Sequence, residues 1–484
     1  METSNTLKKL SLLFGFLVVA YTLFYLYFFL NGSLFYFGEA ISYEGLMRVL
    51  LGKSFASQPQ EIPLSLTPYT PLFLSPMILL GKLIKWNRIE EIMILARTFQ
   101  SGLLFILFLF LNHIRKTFFS DKSTVFSFLF VAGLVFFYNP TMELALRPDT
   151  LSFLCEAGSV FYLLRYLKYS KLKSIALAAL ASGMAVAIKL NTLGAVGGII
   201  LFLLVNKEMR ALGIYLVGFV FSASLLLAIL YFRLGPIFSD NILISIQSFV
   251  LSPADAIKVY SKFFDLFIFP LIFYFFLILW GMGTLPQRKE RLLFLYVLTF
   301  SFIVAALGQM KWGAFHNYFL GFLYLGTIPA SIAVQQLSES KNQNQHFFFL
   351  LFCMLHLVFY ILRGSSIPVK IWQDRDHFRE LTQIRSLLQE KLPKGFIYTS
   401  DEQLHLAFVD RVAIGVLSEE LLQTTPKLMQ GIEKIRFKLQ EIKPSGYLLP
   451  CDKFETGSVY GLFFDAKELT PLQKVKTGKY CLYF

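Results

Sequence analysis

The sequence predicts a polytopic α-helical membrane protein with a small soluble α/β domain at its C-terminal end. Apolar runs of about 20 residues, the length of a membrane span, recur from the N-terminus to about residue 363. Only 16% of the 484 residues are charged while 56% are hydrophobic, with 54 Phe and 23 Tyr; soluble domains carry about 25% charged residues. The text changes character after residue 363, where charged, amphipathic segments replace the apolar runs. A formal charge of +14 would suggest nucleic acid in a soluble protein. Here it sorts by loop, topology bias explains it, and no nucleic-acid partner is expected.

Eleven spans are predicted, at 10–30, 95–113, 124–138, 151–167, 174–188, 192–206, 212–232, 264–284, 291–308, 318–336 and 346–363. The first follows Lys8 and Lys9, is too long for a signal-peptide core and lacks a small-residue cleavage pattern, so it reads as a retained span. Residues 174–205 read as two short spans, because 32 residues exceed a single crossing of roughly 17–25. The turn between them then puts Lys189 and Asn191 in water. With the N-terminus inside, the short inner connections hold 15 Lys and Arg and the longer outer loops hold 11. That bias favours N-in, C-out. "PLFLSPMILLGKLI" (71–84) is short and proline-bearing and reads as an interfacial helix; if it spans, every later assignment flips.

The chain therefore divides into a membrane module, 1–363, and an extracytoplasmic α/β domain, 364–484. In the tail, "DHFRELTQIRSLLQEKL" places Phe378, Leu381, Ile384, Leu387 and Leu388 on one helical face. "GFIYTS", "SGYLLP" and "KYCLYF" read as strands. Cys451 and Cys481 lie 30 positions apart in the tail, where an oxidising exterior permits a disulfide without requiring one. Cys155 and Cys353 sit in apolar runs and read as inert. No CxxC or His/Cys cluster suggests zinc.

This topology collects the unusual polar residues on the outer face. Glu39 lies in "YFGEAISYEGLMRVLLGKSF" and reads equally as a general base or as an ordinary loop charge; the spacing of five to Glu44 does not make a pair. Tyr69 lies in "TPYTPLF". Arg147 and Asp149 lie in "YNPTMELALRPDTLSFL", where a carboxylate in a first helical turn explains Asp149 but leaves Arg147 over. Arg147 either pairs with Glu143 or offers its fork of donors to phosphate oxygens. Lys189 snorkels or presents a charge to a phosphate. Lys311, His316 and Asn317 occupy "KWGAFHNYF", and a lone His is more often structural than catalytic.

Taken in order, "GEAISYEGLMRVLLGKSF", "TPYTPLF", "ARTFQSGLLF", "NPTMELALRPDTLSF", "AIKLNTLGAVGGIILFLL" and "KWGAFHNYFLGF" resemble the GT-C superfamily of membrane glycosyltransferases, in its bacterial family 39-related, mannosyltransferase-like branch. The resemblance covers roughly residues 10–340. It implies a cell-envelope enzyme of the bacterial inner membrane that takes a hexosyl or pentosyl group from a polyprenyl-phosphate donor outside the cytoplasm. Glu39 matches the essential acidic position of the first outer loop and Asp149 that of the second, as catalytic residues. Tyr69, Arg147, Lys189, Lys311, His316 and Asn317 become substrate-binding residues, the lysines facing the lipid phosphate. The family's paired Asp-Glu is Gly-Glu here, at Gly38 and Glu39, so a divalent cation, Mg or Mn, is an open expectation.

The expected partners are thus the polyprenyl-phosphate sugar, the bilayer, and a glycan, lipid or protein acceptor. The alternative is a transporter or flippase of lipid-linked sugars, which the lack of an internal repeat and the clustering of ionisable residues at one interface disfavour. A catalytically silent scaffold is the third reading.

Overall fold

The computed structural model of the protein describes residues 37–57, 69–85, 89–119, 121–138, 145–190, 192–239, 271–285, 287–308, 316–340, 377–399, 445–451, 472–477 and 480–484, with single positions between them. The spans expected at 10–30 and, for the most part, 346–363 lie outside these residues.

In chain order the helices are α1 (Phe37–Leu50), α2 (Ser75–Ile84), α3 (Ile89–Phe119), α4 (Val125–Tyr138), α5 (Asp149–Tyr169), α6 (Leu172–Ile188), α7 (Gly194–Val205), α8 (Met209–Leu234), α9 (Leu271–Gly283), α10 (Arg288–Gly308), α11 (Leu320–Glu339) and α12 (His377–Lys391). Among them, Glu91–Phe119, Met209–Leu234, Arg288–Gly308 and Leu320–Glu339 are long and apolar enough to cross a bilayer, and five shorter apolar segments accompany them. The chain is an integral membrane protein. Along α8, Val217, Val220, Phe221 and Phe232 project outward, as apolar side chains do when lipid is the solvent.

The predicted break in 174–205 is present: α6 ends at Ile188 and α7 begins at Gly194. The two then part company. α6 packs along α5 and α8, and α7 packs along α10. Close approach makes the second contact: a Cβ at Gly198 would collide with the backbone of Val297, and one at Gly194 with Ser301. Small residues at helix crossings gain dispersion contacts where lipid supplies no hydrophobic drive. α11 is buried almost along its whole length and serves as the central post of the bundle.

Residues 31–94 are the first outer loop of the predicted topology, with a helix at 71–84. The described part has that helix, as a 3-10 turn at Pro71–Leu74 followed by α2, and adds α1, which the sequence reading does not contain. These pack with the start of α3 into their own apolar core of Tyr43, Leu46, Met47, Phe73, Met77, Ile92 and Ala96, joined by Leu146 and Ile188. The main core of the bundle is a separate cluster. A segment with a core of its own can hold a side chain fixed where a loop could not.

In the tail, β1 (Ile397–Thr399), β2 (Gly446–Pro450), β3 (Lys474–Thr477) and β4 (Tyr480–Tyr483) form one sheet in the order β1-β2-β4-β3. β1 and β2 are parallel; β2 with β4, and β3 with β4, are antiparallel. Three of these strands are the runs read from the sequence. β3, with its alternating lysines, was not among them. Leu381, Ile384 and Leu388 of α12 are buried against Ile397, Leu448, Tyr480 and Leu482, as the helical face predicts. Cys451 and Cys481 are disulfide-bonded, their Cα atoms 5.1 Å apart, and Cys155 is a free thiol.

Candidate active site at one end of the bundle

The site is built where several helix ends meet. α5 starts at Asp149 with Pro148 as its N-cap residue, so the sequence Arg-Pro-Asp is the entrance to the helix. The carboxylate of Asp149 accepts from Arg147 Nε at 3.2 Å and from Lys189 Nζ at 2.5 Å. Arg147 therefore pairs with Asp149. All three side chains are at least nine-tenths buried. Lys189 also stands 4.8 Å over the ring of Tyr318, which precedes α11 in the turn His316–Phe319. Tyr69 lies against Arg147 and Asp149. Its neighbour Thr70 ties this segment to the end of α6 by donating to the carbonyls of Ala187 and Ile188, at 2.8 and 2.9 Å.

Glu39 occupies the first turn of α1 and is fully buried. Arg97 of α3 grips it with Nε on Oε1 and Nη2 on Oε2, each at 3.1 Å. The amide of Leu146 also donates to Oε1, at 3.2 Å. Leu146 adjoins Arg147, so Glu39 and the Arg147–Asp149–Lys189 cluster share one short segment, 145–149. Tyr43 lies beside both Glu39 and Arg97. Gln100 of α3 donates to Thr150 at 2.6 Å, fastening α3 to the start of α5.

Five predicted residues are thus placed within one region: Glu39, Tyr69, Arg147, Asp149 and Lys189. His316 and Asn317 belong to the turn that carries Tyr318, and Lys311 lies outside the described residues. Arg97, Tyr43, Gln100 and Glu156 escaped the sequence reading. Arg97 and Glu156 were counted inside spans, although an ionisable residue in a span is itself a flag for function.

At the far end of α5, Tyr166 donates to Glu208 at 2.9 Å, and Lys289 pairs with the other oxygen of that carboxylate at 2.9 Å. From Asp149 to Tyr166 the helix rises about 26 Å, close to the roughly 30 Å of a hydrocarbon core. The two polar clusters therefore mark opposite ends of the bundle.

Among the described residues no group of three or more His, Cys, Asp or Glu is placed to hold a metal ion. The two carboxylates of the site are each engaged by cationic side chains.

The architecture is a helical bundle with polar side chains gathered at one end beneath packed loop helices. Two crystal structures of ArnT from Cupriavidus metallidurans share it, one bound to undecaprenyl phosphate and one in the apo state. They align with 96% of this chain and 97% of their own length, at TM-scores of 0.61 and 0.62. Sequence identity is 12%, so the likeness is one of fold. No family model matches the sequence, and no curated protein matches it.

Proposed function

We propose that the protein is an inverting glycosyltransferase that moves a sugar from a polyprenyl-phosphate carrier to an acceptor on the extracytoplasmic face of the bacterial cytoplasmic membrane. The observation that carries this reading is the buried cluster of Arg147, Asp149 and Lys189. Two cations, Arg147 and Lys189, flank one carboxylate there. A phosphodiester bears one negative charge, and a site that is dry on its membrane side makes the match strong. The ArnT crystallised with undecaprenyl phosphate supports a donor of this class.

In the reaction the acceptor hydroxyl oxygen attacks the anomeric carbon. The bond from that carbon to the phosphate oxygen breaks, and polyprenyl phosphate leaves with the electron pair. Arg147 and Lys189 neutralise the charge that grows on it. Asp149 holds those two cations side by side, and Glu39 takes the proton of the hydroxyl. The grip of Arg97 on both Glu39 oxygens favours a second role for Glu39, as the residue that positions segment 145–149.

The two roles separate on a pH profile. As a base, Glu39→Asp displaces the acid limb of kcat/KM; as a positioning residue, it lowers kcat/KM at every pH and leaves the limb in place. The reaction itself is tested with radiolabelled undecaprenyl-phosphate sugars and purified protein in proteoliposomes. Label passing to a lipid, glycan or protein acceptor is the expected result. Label crossing the bilayer unchanged identifies a flippase and overturns the reading.

A further inference from the structure

The cluster around Asp149 leaves a second set of polar groups unexplained. Glu156 is seven residues along α5 from Asp149, two turns and about 10 Å deeper, on the same helical face. It is 3% exposed. The amide of Ala195, in the first turn of α7, donates to its carboxylate, and Lys189 faces it at longer range. Opposite, Gly321 packs close: a Cβ there would stand 3.1 Å from Glu156 Oε2 and 2.9 Å from the ring of Phe153. Ser301 of α10 adds a buried hydroxyl with no hydrogen-bond partner among the described residues. Glu156, Lys189, Thr192, Ser301, Tyr318 and Gly321 line a single cleft.

Burying a carboxylate in an apolar bundle is costly, and one amide meets only part of the acceptor capacity of its two oxygens. An unpaired serine hydroxyl beside it adds a second cost. Both are relieved by a ligand that brings hydroxyl groups.

We propose that this cleft seats the sugar ring of the donor. The Glu156 carboxylate accepts hydrogen bonds from two neighbouring sugar hydroxyls, Ser301 Oγ pairs with a third polar group, and Tyr318 covers one face of the ring. Lys189 lines the cleft and also belongs to the Arg147–Asp149 cluster, so a sugar seated there keeps its phosphate at those cations. The inference rests on the glycosyltransferase reading for the identity of the ligand. Its own content is that Glu156 and Ser301 recognise the sugar and not the lipid phosphate.

The test uses full-length protein in nanodiscs and two kinds of probe: undecaprenyl phosphate, and a panel of undecaprenyl-phosphate hexoses and pentoses. Wild type is expected to bind at least one sugar-bearing lipid about 10- to 100-fold more tightly than undecaprenyl phosphate, the worth of hydrogen bonds to a charged group. Glu156→Gln and Ser301→Ala are expected to erase most of that advantage while Kd for undecaprenyl phosphate stays within about twofold, which also reports correct folding. Should Glu156→Gln fail to fold, Ser301→Ala decides. The proposal is overturned when no sugar-bearing lipid outbinds undecaprenyl phosphate in wild type, or when the advantage survives in the variants that fold. Sugar transfer that ignores both substitutions sinks the cleft and keeps the transferase. Glu156-dependent sugar binding without transfer to any acceptor does the reverse.

Discussion

Glu39 and Arg97 form a buried ion pair, and the energetics of such pairs make them separable by double substitution. Removing one partner strands a charge in a dry core and costs about 3–5 kcal/mol, whereas removing both together costs far less. Glu39→Gln and Arg97→Met should each lower the melting temperature sharply in detergent. The double variant should recover most of that loss and still transfer no sugar. Turnover by the double variant near the wild-type rate would show that Glu39 is not the base. Lys189 stands at the other pole of the site. Lys189→Met should lower kcat by about 10²–10³-fold, the usual loss when one charge-stabilising group is withdrawn from a developing anion. Equal transfer rates in Lys189→Met and wild type would remove the lysine from the phosphate site.

Helix contacts set the next group of expectations. α7 reaches α10 because Gly194 and Gly198 have no side chains. Gly198→Leu should therefore push the helices apart and displace Ser301 and Thr192 from the cleft; the readout is a lower melting temperature together with lost donor binding. In the tail, the Cys451–Cys481 disulfide fastens the end of β2 to β4. A closed loop of that length stabilises by about 3–4 kcal/mol in the chain-entropy picture. Cys451→Ser should speed amide exchange in the sheet and leave α3 through α11 as protected as before. Uniform loosening of the bundle would mean that the tail is not an independent unit.

For the molecule as a whole, the proposed chemistry demands that the site lie outside, and with it α2, which ends at Lys85 and packs in the same apolar cluster as Leu146 and Ile188. In a background lacking Cys155 and Cys353, a cysteine at Lys85 should react with a membrane-impermeant maleimide in intact cells. One at Lys171, in the exposed turn between α5 and α6, should react only after permeabilisation. The opposite pattern would reverse the orientation and place the reaction in the cytoplasm.

Much of this design is visible in the order of residues alone. Apolar runs, loop charge and the Lys189 break report on solvent, because a bilayer imposes length and polarity on each segment separately. Three of the four strands and the buried face of α12 were legible for the same local reason. So were Glu39, Arg147, Asp149 and Lys189, as polar residues left standing at span ends. Their partners were not. Arg97 meets Glu39 across 58 positions and Lys189 meets Asp149 across 40, and no local pattern encodes pairings at that separation. The helix α1 was hidden too, because its apolar residues bury against neighbouring loop segments and not against lipid. Glu156 was in plain view inside a span; it became a candidate once α7, α10 and α11 closed a cleft around it. Folding chose which charges face each other, and burial is what makes their pairing matter.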